Sequence, residues 1–215
     1  MSMNYYVYQV FQSIQGESYL VGTPTVFVRM SFCNLRCSYC DEKQALKKGF
    51  EISTEDLLTW ISSYQCKTVC LTGGEPLFQE NTPKLIDELI RKGYHVSLET
   101  NGTFPLKHLN KKLIRVMDLK LEVLKKHKKT ILANLRALGA LDELKIIIKN
   151  IADYKAAVKI INKYKLYDRT HVSMSPLFGK VDTAWLADKI INDHLPIRLN
   201  VQLHKYIWPN DYKGR

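Results

Sequence analysis

Cys33-Asn-Leu-Arg-Cys37-Ser-Tyr39-Cys40 is the stretch that decides how this chain reads. Three cysteines stand at a CxxxCxxC spacing, with an aromatic residue just before the last. Three thiolates on one short loop can each take one iron of a cubane cluster. The fourth iron then has no protein ligand, and an open metal position is where substrate chemistry happens. The spacing therefore points to a four-iron–four-sulfur cluster held by Cys33, Cys37 and Cys40. A zinc site completed by a distant His is the competing reading. Such sites usually pair CxxC with a second CxxC or an HxxxH, and the chain has no second pair. The remaining cysteines, Cys66 and Cys70, read as small apolar residues of a buried strand. An odd cysteine count and the absence of a secretory leader argue against a disulfide framework.

At 215 residues the chain is long enough for one domain, 1–215, with its own core. No apolar run approaches a membrane span. The opening Met1-Ser-Met-Asn-Tyr-Tyr resembles neither a signal nor a transit peptide, so a cytoplasmic protein without membrane attachment is expected. The formal net charge is +11, with a dense run at Lys125-Lys-His-Lys-Lys129. The basic residues are not interleaved with aromatics as a base-stacking platform requires, so no nucleic-acid partner is expected. A solvated face explains the charge, and docking of an acidic electron donor is its functional alternative.

Around the cysteine loop, β-rich segments alternate with amphipathic helical ones. Segments 25–30, 68–72, 95–99, 114–118, 144–148, 172–175 and 198–202 read as strands. Helices are expected over 53–64, with Ser53 as cap, over 82–92, capped by Thr82 with Pro83 at the first position, and over 152–164 and 183–192. Alternation of this kind implies parallel βαβ units. About six of them, opened by an N-terminal hairpin, give an α/β fold of the partial, open β/α barrel type. Sites in such folds gather at the C-terminal ends of strands. Thr72-Gly-Gly-Glu-Pro76, Glu99-Thr-Asn-Gly-Thr103, Asp118-Leu-Lys120 and His204-Lys205 all fall at strand ends. Each alone reads equally as a turn. Together, behind the cysteine loop, they mark one pocket.

At these residues the chain resembles the radical S-adenosylmethionine (SAM) superfamily, and within it the 7-carboxy-7-deazaguanine synthase family. The cysteine loop and Gly73-Gly-Glu-Pro76 are common to the superfamily. The resemblance also rests on Phe27-Val-Arg29, Glu99-Thr-Asn-Gly-Thr103, Val116-Met-Asp-Leu-Lys120, Ser175-Pro-Leu-Phe-Gly179 and Gln202-Leu-His-Lys-Tyr-Ile-Trp208, and its more specific matches are the Ser13-Ile-Gln-Gly-Glu17 start and the Gln202-Leu-His-Lys205 end. The resemblance implies a lyase of queuosine and 7-deazapurine biosynthesis. Its substrate is 6-carboxy-5,6,7,8-tetrahydropterin, and its cofactors are a [4Fe-4S] cluster, SAM used catalytically, and Mg2+. A 5′-deoxyadenosyl radical takes hydrogen from C6 of the pterin, the ring contracts and ammonia leaves. A homodimer and a flavodoxin or ferredoxin reductant are further implications.

The resemblance also distributes roles. Tyr39, Gly73, Gly74, Glu75, Glu99, Asn101 and Lys120 fall to SAM. Tyr39 packs near the adenine or is simply a buried loop aromatic. The two glycines let the backbone approach the methionine end. Glu99, Asn101 and Lys120 meet hydroxyls and carboxylate or act only as strand-end caps. Ile14, Gln15, Gly16, Glu17, Arg29, Thr72, Gln202 and His204 fall to the pterin. Arg29 is suited to the carboxylate as a planar two-point donor, and His204 to a hydrogen bond or a proton transfer. Three departures stand out. Ser18 replaces a customary Gly. Glu42 replaces the Thr whose hydroxyl meets magnesium, although a carboxylate is itself a hard-oxygen ligand. Leu121-Glu-Val-Leu-Lys-Lys-His-Lys-Lys129 follows Lys120 in place of a short Pro/Ser/Gly loop. The competing readings are a glycyl-radical enzyme activating enzyme, which needs neither Arg29 nor the Gln-Leu-His-Lys segment, and a zinc-bound interaction module.

Overall fold

The structure is a computed structural model that describes residues 3–209; the first two residues of the N-terminal segment lie outside it. The chain enters through β1 (Asn4–Ile14) and turns back as β2 (Pro24–Met30), the expected hairpin. The cysteine loop follows. A strand not foreseen in the sequence, β3 (Phe50–Ser53), then pairs with the outer edge of β1. From there the chain alternates: α1 (Thr54–Ser63), β4 (Thr68–Gly73), α2 (Thr82–Arg91), β5 (His95–Thr100), β6 (Ile114–Leu119), α3 (Leu121–Leu124), α4 (Lys128–Ala137), β7 (Glu143–Ile148), α5 (Ile151–Tyr164), β8 (His171–Pro176), α6 (Thr183–Asn192), β9 (Arg198–Leu199) and α7 (Leu203–Ile207). The described strands form one nine-stranded sheet in the order β3-β1-β2-β4-β5-β6-β7-β8-β9. All neighbours from β2 to β9 are parallel, which is the expected open α/β architecture.

Side chains alternate across a strand, and that alternation separates core from site. One face carries Val69 and Leu71, Val96 and Leu98, Met117 and Leu119, Leu144 and Ile146, and Val172 and Met174. These are buried with Leu57 and Ile61 of α1, Leu85 and Leu89 of α2, Ile131 and Leu135 of α4, and Ile161 of α5. The other face is polar. It carries Arg29, Thr72, Glu99, Asp118, Lys145 and Ser175, one from each successive parallel strand, and all six line one cavity.

Local chemistry sets the helix ends. The Ser53 hydroxyl accepts from the Asp56 amide at 3.1 Å, as expected of a cap. Asn150 and Asp182 cap α5 and α6 in the same way. Thr82 does not cap α2. It is the first helical residue, and its hydroxyl donates to the Pro76 carbonyl at 2.6 Å, tying the helix to the Gly-Gly-Glu-Pro loop. The last strand is also shorter than the sequence implies. It ends at Leu199, and Gln202 and His204 sit at the start of α7. Cys66 precedes β4 and is half-buried, with its thiol 3.3 Å from the Pro24 carbonyl; Cys70 is the buried strand residue.

Candidate active site

The polar face of the sheet opens into a cavity of about 270 Å3. Cys33, Cys37 and Cys40 line it. Gly73 and Gly74 line it too, with Gly74 running beside Cys33, as do Gln15, Glu17, Arg29, Gln202 and His204.

The strand end at Gly73-Gly-Glu-Pro76 is stitched to the chain that leads into the cysteine loop. The Gly74 amide donates to Met30 O at 2.9 Å and the Glu75 amide to Phe32 O at 2.8 Å. A Cβ on Gly74 would stand 1.9 Å from Phe32 O, and Gly73 has φ +107 with Met30 O only 2.6 Å from where its Cβ would be. Both positions therefore require glycine. The close approach they permit is to the backbone before Cys33, a different reason from the SAM contact expected of them. Glu75 does not line the cavity. It is fully buried, and its carboxylate accepts from Thr100 Oγ1 at 2.8 Å, the Asn101 amide at 2.7 Å and the Leu77 amide at 3.1 Å. Burial pushes its carboxyl up to about 7 against those hydrogen bonds. It braces two strand ends through these hydrogen bonds. Asn101 continues the brace: its side-chain Nδ2 donates to Asn34 Oδ1 at 3.0 Å inside the cysteine loop.

The segment after Lys120 has its own device. α3 presents Glu122, which accepts a hydrogen bond from the Tyr39 hydroxyl and lies 2.7 Å from Lys149 Nζ. Lys149 Nζ also stands 5.4 Å from the centre of the Tyr39 ring. The unusual sequence thus holds the aromatic of the cysteine loop from its far side. Burial and the Glu122 carboxylate both raise the Tyr39 hydroxyl pKa well above its ordinary value. Lys120 still lines the cavity, 3.7 Å from Asp118 Oδ2.

Arg29 Nη1 forms a 2.6 Å ion pair with Glu42 and donates to Gln9 Oε1 at 3.1 Å; its guanidinium lies 4.8 Å from the Phe11 ring centre. The residues expected to receive a carboxylate and to hold magnesium are therefore paired with each other. Thr72 Oγ1 donates to Glu99 Oε2 at 2.7 Å, and Gln15 Nε2 approaches Glu99 Oε1 at 3.4 Å. Burial raises the Glu99 carboxyl; Lys145 opposes this, and Glu17 and Asp118 add to it. Gln202 Nε2 spans Glu17 Oε1 at 2.7 Å and Asp41 Oδ2 at 3.0 Å. His204 packs on Gly16 so closely that a Cβ there would be 2.2 Å from its Nδ1. Burial lowers the imidazole pKa, with Glu17 opposing.

Lys145 escaped the motif reading. Its side chain is 4% exposed, and it pairs with Glu17 and, at 2.9 Å, with Asp118 Oδ1. Only the period-two polarity of β7 could have marked it, because Lys145 breaks the apolar run Leu144 to Ile148.

The donor set suits the implied groups. Thiols from three positions of one loop face the same cavity, and Gly74 runs beside Cys33. Among the described residues no three His, Cys, Asp or Glu side chains converge on a single point. Three thiolates that each take a separate iron of a cubane have no need to. Glu42 offers one carboxylate, in keeping with an ion that keeps most of its water. Among the described residues no helix is long and apolar enough to cross a membrane.

Comparison with known proteins agrees with this geometry. Residues 27–187 match the radical SAM superfamily. The chain is 33% identical to the 7-carboxy-7-deazaguanine synthase of Koribacter versatilis, over 96% of this chain and 98% of that one. It is 35% identical to the Clostridium acetobutylicum enzyme of the same name, over 99% and 100%. The crystal structure of QueE from Escherichia coli superposes with a TM-score of 0.74 at 25% identity, covering 94% of this chain and 95% of that one. The chain belongs to the 7-carboxy-7-deazaguanine synthase family of the radical SAM superfamily.

Proposed function

We propose that the protein converts 6-carboxy-5,6,7,8-tetrahydropterin to 7-carboxy-7-deazaguanine with loss of ammonia. Near-full-length identity to enzymes of that name carries the reading. The cavity supports it because the three thiols and several polar and carboxylate side chains line the same space. When bound, the cluster and SAM supply the 5′-deoxyadenosyl radical.

The chain's own residues bind, orient and exclude water. Cys33, Cys37 and Cys40 are assigned to the cluster, and Tyr39, Gly74, Glu99, Asn101 and Lys120 to the SAM side. Arg29 is assigned to the pterin carboxylate, and Ile14, Gln15, Gly16, Glu17, Thr72 and Gln202 to the pterin ring edge. His204 sits against Gly16 and near Glu17. Burial favours its neutral imidazole, which can accept or donate a hydrogen bond at the substrate. Magnesium at Glu42, a homodimer, a cytoplasmic setting and an acidic flavodoxin or ferredoxin as electron donor belong to the same reading. Lys125-Lys-His-Lys-Lys129 follows α3, whose Glu122 holds Tyr39 of the cysteine loop; that puts positive charge on the segment next to the element that holds this loop. Replacing Arg29 by Ala tests the assignment. Deazaguanine formation should fall far more than background SAM cleavage. Equal loss of both would make Arg29 a packing residue.

A further inference from the structure

A cation buried in the middle of a sheet carries a large desolvation penalty unless several groups surround it. Lys145 is such a cation, and three carboxylates on three different elements face it. Glu17 comes from the segment after β1, Glu99 from β5 and Asp118 from β6. Lys120 and His204 are the neighbouring basic groups, pairing with Asp118 and facing Glu17 respectively. Lys145 contacts Glu17 Oε2, and Gln202 donates to Glu17 Oε1 at 2.7 Å. A carboxylate has about four acceptor positions, so these two donors fix its orientation and leave acceptor capacity toward the cavity that Glu17 lines.

We propose that Lys145 is a positioning residue for the pterin, holding the Glu17 carboxylate as an aimed acceptor for the paired N–H donors of the aminopyrimidinone edge. This rests on the functional reading above. Burial works against charge on Glu17, yet Lys145, with Gln202 and His204 adding, holds its carboxyl down to about 2. The acceptor is therefore ionised at any working pH. Lys145 does not serve as an acid. Burial favours its neutral form, but Asp118, Glu17 and Glu99 outweigh that and raise its pKa well above the usual lysine value. Its part is to orient a neighbour rather than to supply a proton.

The test is calorimetric titration of the anaerobically reconstituted full chain with SAM and, separately, with 6-carboxy-5,6,7,8-tetrahydropterin. Lys145→Met should weaken pterin binding by about tenfold or more and SAM binding by less than about threefold. Lys145→Arg, which keeps the charge, should recover part of the loss. In the Lys145→Met, Glu17→Gln double variant the two losses should not add, because one acts through the other. This double variant also removes one of the facing carboxylates, so it serves where Lys145→Met fails to fold. Unchanged pterin binding, an equal loss for both ligands, or simple additivity would overturn the role. Absence of pterin binding by the unmodified protein would overturn the functional reading and this inference with it. Binding by the unmodified protein with no effect of the variants overturns the inference alone.

Discussion

Arg29 and Glu42, both lining the cavity, hold each other, with Nη1 2.6 Å from Oε2. Each side chain keeps only roughly a fifth of its surface exposed, so both charges are largely desolvated and each depends on a partner. Under the proposed assignment, the pterin carboxylate displaces Glu42 from Arg29, and magnesium on Glu42 eases that exchange. Glu42→Gln should therefore bind pterin with a KM that depends less on magnesium. KM measured with saturating magnesium and with chelator should differ by about fivefold more in the unmodified enzyme than in the variant. An identical magnesium response would separate Glu42 from the metal.

Cys37→Ala should abolish cluster assembly. Iron and acid-labile sulfide after anaerobic reconstitution should fall to background, whereas Cys66→Ala, altered outside the cavity, should keep both. A Cys37→Ala protein with full iron content would contradict the ligand assignment.

Gly16→Ala probes the His204 contact. The new methyl must push the imidazole, since Nδ1 lies 2.2 Å from where the alanine Cβ would stand. Small misplacements of a catalytic group cost up to about a hundredfold in rate. We expect pterin turnover to fall by about tenfold to a hundredfold, with a melting temperature within a few degrees of the unmodified protein. Full turnover would show that His204 has no part in the chemistry.

Acid stability should report the Glu17–Lys145 pair. The Glu17 carboxyl sits at about 2 in the folded protein against 4.5 for the free group. Below 4.5 the unfolded chain binds the proton first, so the pair's contribution is complete above that pH and is lost as pH falls toward 2. The shift corresponds to about 3 kcal/mol. Denaturant unfolding of Glu17→Gln should show a shallower fall in stability over this window than the unmodified protein. Parallel curves would mean that Glu17 is not held ionised by Lys145.

Much of the fold and site was legible because the chemistry is contiguous. The cysteine loop, Gly73-Gly-Glu-Pro76 and Glu99-Thr-Asn-Gly-Thr103 each sit on a few neighbouring residues, and their placement behind strands follows from β/α alternation. The sequence pattern bounds Thr183–Asn192 and comes within one residue of Pro24–Met30. What stayed hidden depends on cross-strand neighbours. Lys145 looks like a stray charge until the pairing of β6 with β7 sets it opposite Asp118. Glu75 reads as a ligand contact until its oxygens are seen to be taken by Thr100 and by the amides of Leu77 and Asn101. Arg29 and Glu42 look like two separate ligands until the cysteine loop folds back to pair them. The run after Lys120 is a departure without a role in the sequence, and only the packing of α3 joins Glu122 to Tyr39.

The most direct test of the proposed activity is anaerobic turnover of the reconstituted protein with SAM, reductant, magnesium and 6-carboxy-5,6,7,8-tetrahydropterin, with the products identified by mass. We expect 7-carboxy-7-deazaguanine in excess of 5′-deoxyadenosine, as catalytic use of SAM under the proposed function requires. Deoxyadenosine without deazaguanine would contradict the synthase activity, leaving radical SAM chemistry directed at another substrate.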